Sequence, residues 1–281
     1  MSARSHRPRA LATRTLIQLG LIGWTLTTLL PLVWMLSASL QTNQEIYKGI
    51  KLIPDTLQFQ NYIQAWEQAK FSVYFQNSVI YTVAVVAGAV LIASLAAYSF
   101  AKLKFPGKNL FYVFFLIFIL IPIPGQFIPL YLLLTRLKLI DSRLGYILPL
   151  IQSSLPTAIL ILRSFFEEIP SELDDAARVD GASRLQIFWR IALPLSMPAI
   201  ATIIILTAIG VWNEFTLALV VFSDADLMPL QVGIMNFQGT FFSQYALMMA
   251  ATSIATLPIL ILYIFLQKYI IRGVMAGAVK G

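Results

Sequence analysis

Residues 164–198 read SFFEEIPSELDDAARVDGASRLQIFWRIALPLSMP, a polar stretch set between two runs apolar enough to cross a bilayer. Six of the chain's thirteen acids lie here: Glu167, Glu168, Glu172, Asp174, Asp175 and Asp180. A soluble-looking helical hairpin in so apolar a chain fixes where the flanking helices end, and it needs something outside the lipid to grip. Ser171 and Asp174, with Pro170 just ahead, have the spacing of a capping box and predict a helix start. Leu173, Ala176 and Ala177 give that helix a narrow apolar face of small side chains. Gly181 stands where a left-handed cap would end it after about two turns. Ser183 and Gln186 repeat the capping pair and open a second helix with the stripe Leu185, Phe188, Trp189 and Ala192. Phe188 and Trp189 are expected to anchor that helix under the bundle, and Pro194 and Pro198 to stop it. A first helix of about nine residues is not stable alone in water, so a receiving surface is expected.

Outward from the hairpin, 58% of the 281 residues are apolar and only 12% are charged, against about a quarter charged in soluble domains. The chain therefore reads as an all-α polytopic membrane protein. Continuously apolar runs of about 20 residues cross the hydrocarbon as helices, because lipid leaves backbone amides no other partner. Six such spans are expected, near 16–38, 77–101, 109–131, 146–165, 198–222 and 246–268. They divide the chain into a basic cytoplasmic tail (1–15) and a six-helix transmembrane bundle (16–281) whose core spans cover about 77–268. The hairpin is the loop 164–198, and the outer loops are about 39–76, 132–145 and 223–245. The first run exceeds 20 residues, which favours a retained span over the shorter apolar core of a signal peptide.

Lysine and arginine give the orientation. With the N-terminus inside, the inner segments hold fourteen of the twenty basic residues and the outer loops six. Both termini and the acidic hairpin are then expected in the cytoplasm of a multi-pass plasma (inner) membrane protein. The net charge of +7 is read as this topology signal; no basic, aromatic-interleaved patch suggests nucleic acid. Cysteine is absent, which excludes disulfides and thiol chemistry.

Spans three and four carry Pro122, Pro124, Gly125 and Pro129, and Pro149, Gln152, Ser153, Ser154 and Pro156. Proline in a helix removes a hydrogen bond, so broken helices lining a path are expected there, with Pro129 and Pro149 read as packing kinks. Span five ends in Trp212-Asn213-Glu214-Phe215. A carboxylate near membrane depth faces a cavity or a partner; for Glu214 a place on the path and a purely structural role both stand open. Gln152, Ser153, Asn213 and Glu214 are the candidate path residues.

Enzyme chemistry finds no foothold. No Gly-rich loop ends in Lys-Ser or Lys-Thr, so the chain is not an ATPase of that type. The one histidine, His6, lies in the basic tail and forms no triad or metal cluster. No metal or cofactor site is expected on this chain.

Asp175-Ala176-Ala177, then Gly181, then Ile191 and Leu193-Pro194 resembles, at every spacing, the Glu-Ala-Ala loop of ABC importer permeases. Asn77-Ser78, Phe105-Pro106-Gly107, Ile128-Pro129-Leu130-Tyr131, Trp212-Asn213-Glu214-Phe215 and the ending Gln267-Lys268-Tyr269, Arg272-Gly273 and Ala276–Gly281 resemble the maltose-type carbohydrate subgroup. One departure stands out: aspartate, Asp175, replaces the family's usual glutamate, keeping the charge but losing a methylene. The resemblance implies a transmembrane permease subunit of a binding-protein-dependent sugar importer working by alternating access. It implies a second permease, two cytoplasmic ATPase subunits carrying ATP and Mg, and an extracytoplasmic solute-binding protein. It also implies that Asp174, Asp175, Ala176, Ala177, Arg178, Asp180 and Gly181 couple to the ATPase, with Gly181 as hinge. Phe188, Ile191, Leu193 and Pro194 would pack the loop, and loop 223–245, which holds Phe237, Gly239 and Phe241 and no lysine or arginine, would reach into the binding protein, with no motif that assigns this contact to particular residues. The sugar is left open among maltodextrins, disaccharides, polyols, sugar-derived osmolytes and glycerol phosphate esters. Two other readings remain: a self-contained channel or secondary transporter, and a membrane scaffold without a substrate path.

Overall fold

The computed structural model describes residues 7–120, 127–238 and 243–278. His6, Pro122, Pro124, Gly125, Gly239, Phe241 and the last three residues lie outside them. Every regular element among the described residues is helical. In chain order they are α1 (Arg7–Ala38), α2 (Asn43–Lys48), α3 (Gln60–Glu67), α4 (Phe71–Lys102), α5 (Lys108–Leu120), α6 (Phe127–Arg136) and α7 (Arg143–Glu168). There follow α8 (Ser171–Val179), α9 (Arg184–Ile187), a π-helical turn Phe188–Ala192, α10 (Leu193–Leu195), α11 (Met197–Trp212), α12 (Thr216–Val221), α13 (Leu230–Met235) and α14 (Tyr245–Ala278).

Among the described residues, four helices are long and apolar enough to cross a bilayer: Arg14–Ala38 of α1, α4, α7 and Tyr245–Tyr269 of α14. A fifth span results if Arg184–Leu195 and Met197–Trp212, bent by 75° to each other, count as one. Of the expected third span, the described residues form the helices α5 and α6.

Two expectations about proline are corrected. Helix α7 runs unbroken through Pro156, as it does through Pro149, where only a packing kink is expected. Each proline removes one hydrogen bond from a helix of 26 residues, and the buried side of that helix, including Tyr146, Leu150, Pro156 and Leu162, keeps it straight enough to continue. Nor does Pro194 stop the second hairpin helix, which continues to Leu195. Just before the proline the backbone bonds shift to the wider π spacing, with the Leu193 amide donating to the Phe188 carbonyl. That widening makes room for a ring that would otherwise strike the carbonyl four residues back. The chain turns instead at Ser196, before Met197 and Pro198 open α11.

The described chain forms two compact units, Lys70–Gly233 with Ala255–Gly281, and Met1–Ala69 with Ile234–Ile254. The larger is built on α4 against α7. Ala89, Ala93 and Ala97 of α4 recur every fourth residue and are fully buried, so the two backbones approach closely, as small residues permit in membrane helices. Gly88 extends that stripe: a Cβ there would lie 2.5 Å from Ile151 Cδ1 of α7. One apolar cluster gathers Tyr98, Phe100, Leu162, Phe166, Phe188 and Ile203. A second, toward the other end of α4, gathers Tyr81, Tyr146, Leu150, Val211, Leu217 and Phe222.

In the smaller unit, the loop 39–69 is held by side-chain hydrogen bonds. Gln41 Nε2 donates to Ser37 Oγ (2.9 Å) and to the Lys51 carbonyl (2.8 Å). Asn61 Nδ2 donates to the Ser39 and Gln41 carbonyls, both at 2.9 Å. Tyr47 reaches the Ser243 carbonyl (3.0 Å) and sets its ring edge-on to Tyr245.

Candidate functional site

Two features of the larger unit concentrate polar groups in an otherwise apolar body: the hairpin 169–195 and a cavity beside Glu214.

The hairpin's first helix is α8, nine residues long, as the cap at Gly181 predicts. Gly181 has φ +81°, and the Ala182 amide donates to Ala177 O (2.9 Å) while the Gly181 amide donates to Arg178 O (3.0 Å). This pair of bonds is a Schellman closure, which requires the left-handed conformation glycine adopts without strain. The second capping box also forms: the Ser183 amide donates to Gln186 Oε1 (2.7 Å), and the Gln186 amide donates to Ser183 Oγ (3.3 Å).

The first capping box does not. Pro170 is the N-cap and no side chain caps the start of α8. Asp174, named above with the ATPase-coupling residues, is instead turned inward, away from the exposed surface of α8, and only 6% exposed, with Oδ2 lying 3.5 Å from Lys102 Nζ at the last residue of α4. The same ammonium donates to the Ile169 carbonyl at 2.6 Å, at the end of α7. A counter-charge from a distant helix outcompetes the local cap, because a buried carboxylate needs a cation more than the amide needs one particular acceptor.

With Asp174 inside, the outer surface of α8 carries Asp175, Ala176, Arg178 and Asp180, all exposed, while Ala177 is half-buried. Leu173 and Val179 are exposed as well, Val179 at 88%. In the second helix Phe188 is buried between Tyr98 and Phe166, with ring centroids 5.2 and 6.4 Å away. Its expected co-anchor Trp189 is 47% exposed and lines an apolar cavity of about 450 Å³ with Leu193. Ile187 and Ala192 are the other buried contacts, while Ile191 and Leu193 are half-buried and Pro194 is exposed. Ile187, not Trp189, is thus the buried neighbour of Phe188.

The second feature is a cavity of about 580 Å³ lined by Gln152, Ser153 and Glu214 among leucines of α6 and α7. It thus brings together three of the four candidate path residues. Asn213, the fourth, donates to Ile209 O (2.9 Å) and accepts from Gln231 Nε2 (3.1 Å), and is not among the lining residues. Glu214 is engaged through both carboxylate oxygens. Tyr146 donates to Oε2 at 3.0 Å, and the Leu217 amide at the start of α12 donates to Oε1 at 2.8 Å. The carboxylate therefore holds the α11–α12 turn against α7 while presenting an edge to the cavity, so the structural role is visible in the geometry. Trp212 is buried with its indole donating to Ala255 O (2.9 Å), so it packs between helices.

Comparison with known proteins places this architecture. The model of the family described as binding-protein-dependent transport system inner membrane component matches residues 89–276, which include the hairpin and every residue lining the cavity beside Glu214. The chain belongs to that family. The permease is 40% identical over 259 residues to a putative ABC transporter permease protein of Caldicellulosiruptor sp., covering 92% of this chain and 94% of that one. It is 36% identical over 255 residues to the trehalose transport system permease protein of Mycobacterium tuberculosis (90% and 89% covered). To the arabinooligosaccharides transport system permease protein of Bacillus subtilis it is 31% identical over 282 residues (98% and 99%). Among solved structures, it superposes with a TM-score of 0.81 on a chain of a bacterial ABC transporter involved in the import of the acidic polysaccharide alginate, at 26% identity, covering 96% of this chain and 100% of that one. The permease is thus a multi-pass membrane protein, and the all-α class read from composition stands.

Lys102, Tyr98 and Tyr146 have no sequence signal that sets them apart. Lys102 enters the charge count only as a topology residue, and its partner lies 72 positions away, beyond any local pattern.

Proposed function

We propose that the permease is one transmembrane subunit of an ATP-driven importer for a carbohydrate or sugar-like solute. It crosses the inner membrane six times, α5 with α6 and α11 with α12 completing the spans, and both termini face the cytoplasm. A second, non-identical permease subunit pairs with it. Two cytoplasmic ABC ATPase subunits receive α8 through Asp175, Ala176, Ala177, Arg178, Asp180 and Gly181, and an extracytoplasmic binding protein delivers the solute to the opposite side. ATP-driven closure of the ATPases moves α8, and the bundle alternates between inward-open and outward-open states. Gln152, Ser153 and Glu214 border the path, with Asn213 beside it. Nucleotide and loaded binding protein each favour one global state, so their effects are reciprocal.

The observation that carries this reading is the outer surface of α8. A nine-residue helix with Leu173, Ala176 and Val179 uncovered is too short to stand in water on its own propensity. A complementary protein surface supplies the missing contacts. The relatives named for trehalose and arabinooligosaccharides support the carbohydrate class.

The test is reconstitution of the permease with its partner subunits in proteoliposomes, with candidate sugars screened for stimulation of ATP hydrolysis through the binding protein. Asp175→Lys and Gly181→Pro are each expected to detach the ATPase subunits and abolish stimulated hydrolysis. Uptake that persists without ATPase subunits would instead identify a secondary transporter or channel.

A further inference from the structure

We propose that Lys102 and Asp174 form the latch through which displacement of α8 is passed to the transmembrane helices, making Lys102 a positioning residue for energy coupling. The inference deepens the reading of α8 as the ATPase-docking helix and rests on it.

Three observations converge on this pair. The Lys102 ammonium joins three elements at one point: it terminates α4, donates to Ile169 O at the end of α7 at 2.6 Å, and lies 3.5 Å from Asp174 Oδ2 in the first turn of α8. Both side chains are nearly buried, 11% and 9% exposed, so their attraction is screened little by water. The other carboxylate oxygen, Asp174 Oδ1, is buried with no hydrogen-bond partner among the described residues. Lys102 is therefore the side-chain charge that compensates this carboxylate, and drawing α8 away from α4 would pull apart a nearly buried ion pair.

The rest of α8 is built to move as a lever from that point. Its N-terminal end follows α7 after only Ile169 and Pro170, with the proline ring fixing φ at −55°. Its C-terminal end closes on Gly181, around which a Cβ would meet nothing within 4 Å. The helix is thus held at one end and free to pivot at the other. The hairpin's second helix offers a different kind of connection: Phe188 packs between Tyr98 and Phe166 through apolar ring contacts, which slide at small cost, whereas a buried ion pair resists separation.

The test uses the complete transporter in proteoliposomes and reads solute uptake per ATP hydrolysed, with ATPase association measured on the same preparations. Asp174→Asn is expected to retain the ATPase subunits and basal hydrolysis while uptake per ATP falls by at least about five-fold, the low end of ordinary coupling energies. Lys102→Arg, which keeps the charge, is expected to stay near wild type. The double variant Lys102→Met with Asp174→Asn is expected to be no worse than Asp174→Asn, because both changes remove one interaction. Should Asp174→Asn fail to assemble, the neutral double variant decides, since it buries no unpaired charge. The latch is overturned if an assembled Asp174→Asn or double variant keeps wild-type uptake per ATP, or if uptake and ATPase association fall in parallel across the series. Failure of the docking reading looks different: Asp175→Lys would then leave the ATPase subunits attached, whatever Asp174→Asn does to coupling.

Discussion

The two ends of α4 hold their neighbouring segments by different physics. At the Asn77 end, Asn77 Nδ2 donates to Asp226 O (2.8 Å) and Met228 O (3.1 Å), Tyr81 donates to Leu227 O (2.7 Å), and Ser78 Oγ accepts from the Leu230 amide (2.8 Å). Three neutral side chains, all buried, thus grip the backbone of residues 226–230. At the Lys102 end, one ammonium and one carboxylate hold α8, whose outer surface is uncovered. Distributed neutral bonds fix a segment's shape with little stress on any one bond. A single buried charge pair fixes a point and leaves the rest of the helix free. The first suits a segment that stays with the bundle, the second a part that must be gripped and moved.

Breaking the charge pair is expected to give the largest effect. Lys102→Met leaves Asp174 buried without its counter-charge and should lower the stability of the assembled transporter by about 3 kcal/mol, read as a lower thermal midpoint in detergent. Lys102→Met combined with Asp174→Leu should recover most of that loss, because an apolar pair buries no charge. A loss below about 1 kcal/mol for Lys102→Met alone, the range of exposed pairs, would erase the contrast between the two ends.

At the opposite end, Tyr81→Phe removes one bond of four and strands the Leu227 carbonyl, at an expected cost of about 1–2 kcal/mol. Hydrogen exchange should then quicken in residues 223–230 and stay unchanged in residues 171–182. Equal quickening in both would show that the two ends are not independent.

Gly181→Ala should cost about 1 kcal/mol, the penalty for a Cβ in left-handed backbone, since no atom stands within 4 Å of the added methyl. Its signature is faster exchange confined to the last turn of α8.

The smallest effect is expected at the exposed pair Lys70–Asp226, 2.6 Å apart. The hydrogen bond and charge of Asp226 hold the Lys70 ammonium above the usual lysine value. Any stabilisation is therefore present at neutral pH and disappears as pH rises through that raised value. Asp226→Asn should leave the thermal midpoint unchanged at physiological salt, because such pairs are screened. A clear drop would mean that the Asn77 end also depends on charge.

How much of this was legible in one dimension depended on the range of the interaction. Gly181 and the Ser183–Gln186 box were readable because each bond spans three to five residues. The Ser171–Asp174 box has the same local form and was misleading, since Lys102, 72 positions upstream, claims the carboxylate. Pro156 looked like a break only while the packing face of α7 was out of view. Glu214 could not be assigned a role until Tyr146, 68 residues away, was seen to donate to it. Gln152 and Ser153 were named together with Glu214, yet nothing in their spacing says that they border one cavity.

What the amino-acid sequence determined by itself was the solvent each segment would accept. Long apolar runs commit the backbone to helix in lipid, and the polar hairpin between two of them commits itself to water or a partner. Caps and helix ends followed because their energetics are local. Tertiary structure alone decided which side of α8 faces inward, whether a proline bends or merely rides in its helix, and which charges meet. Those outcomes turn on contacts between residues tens of positions apart, where a few ångströms of packing outweigh any local preference.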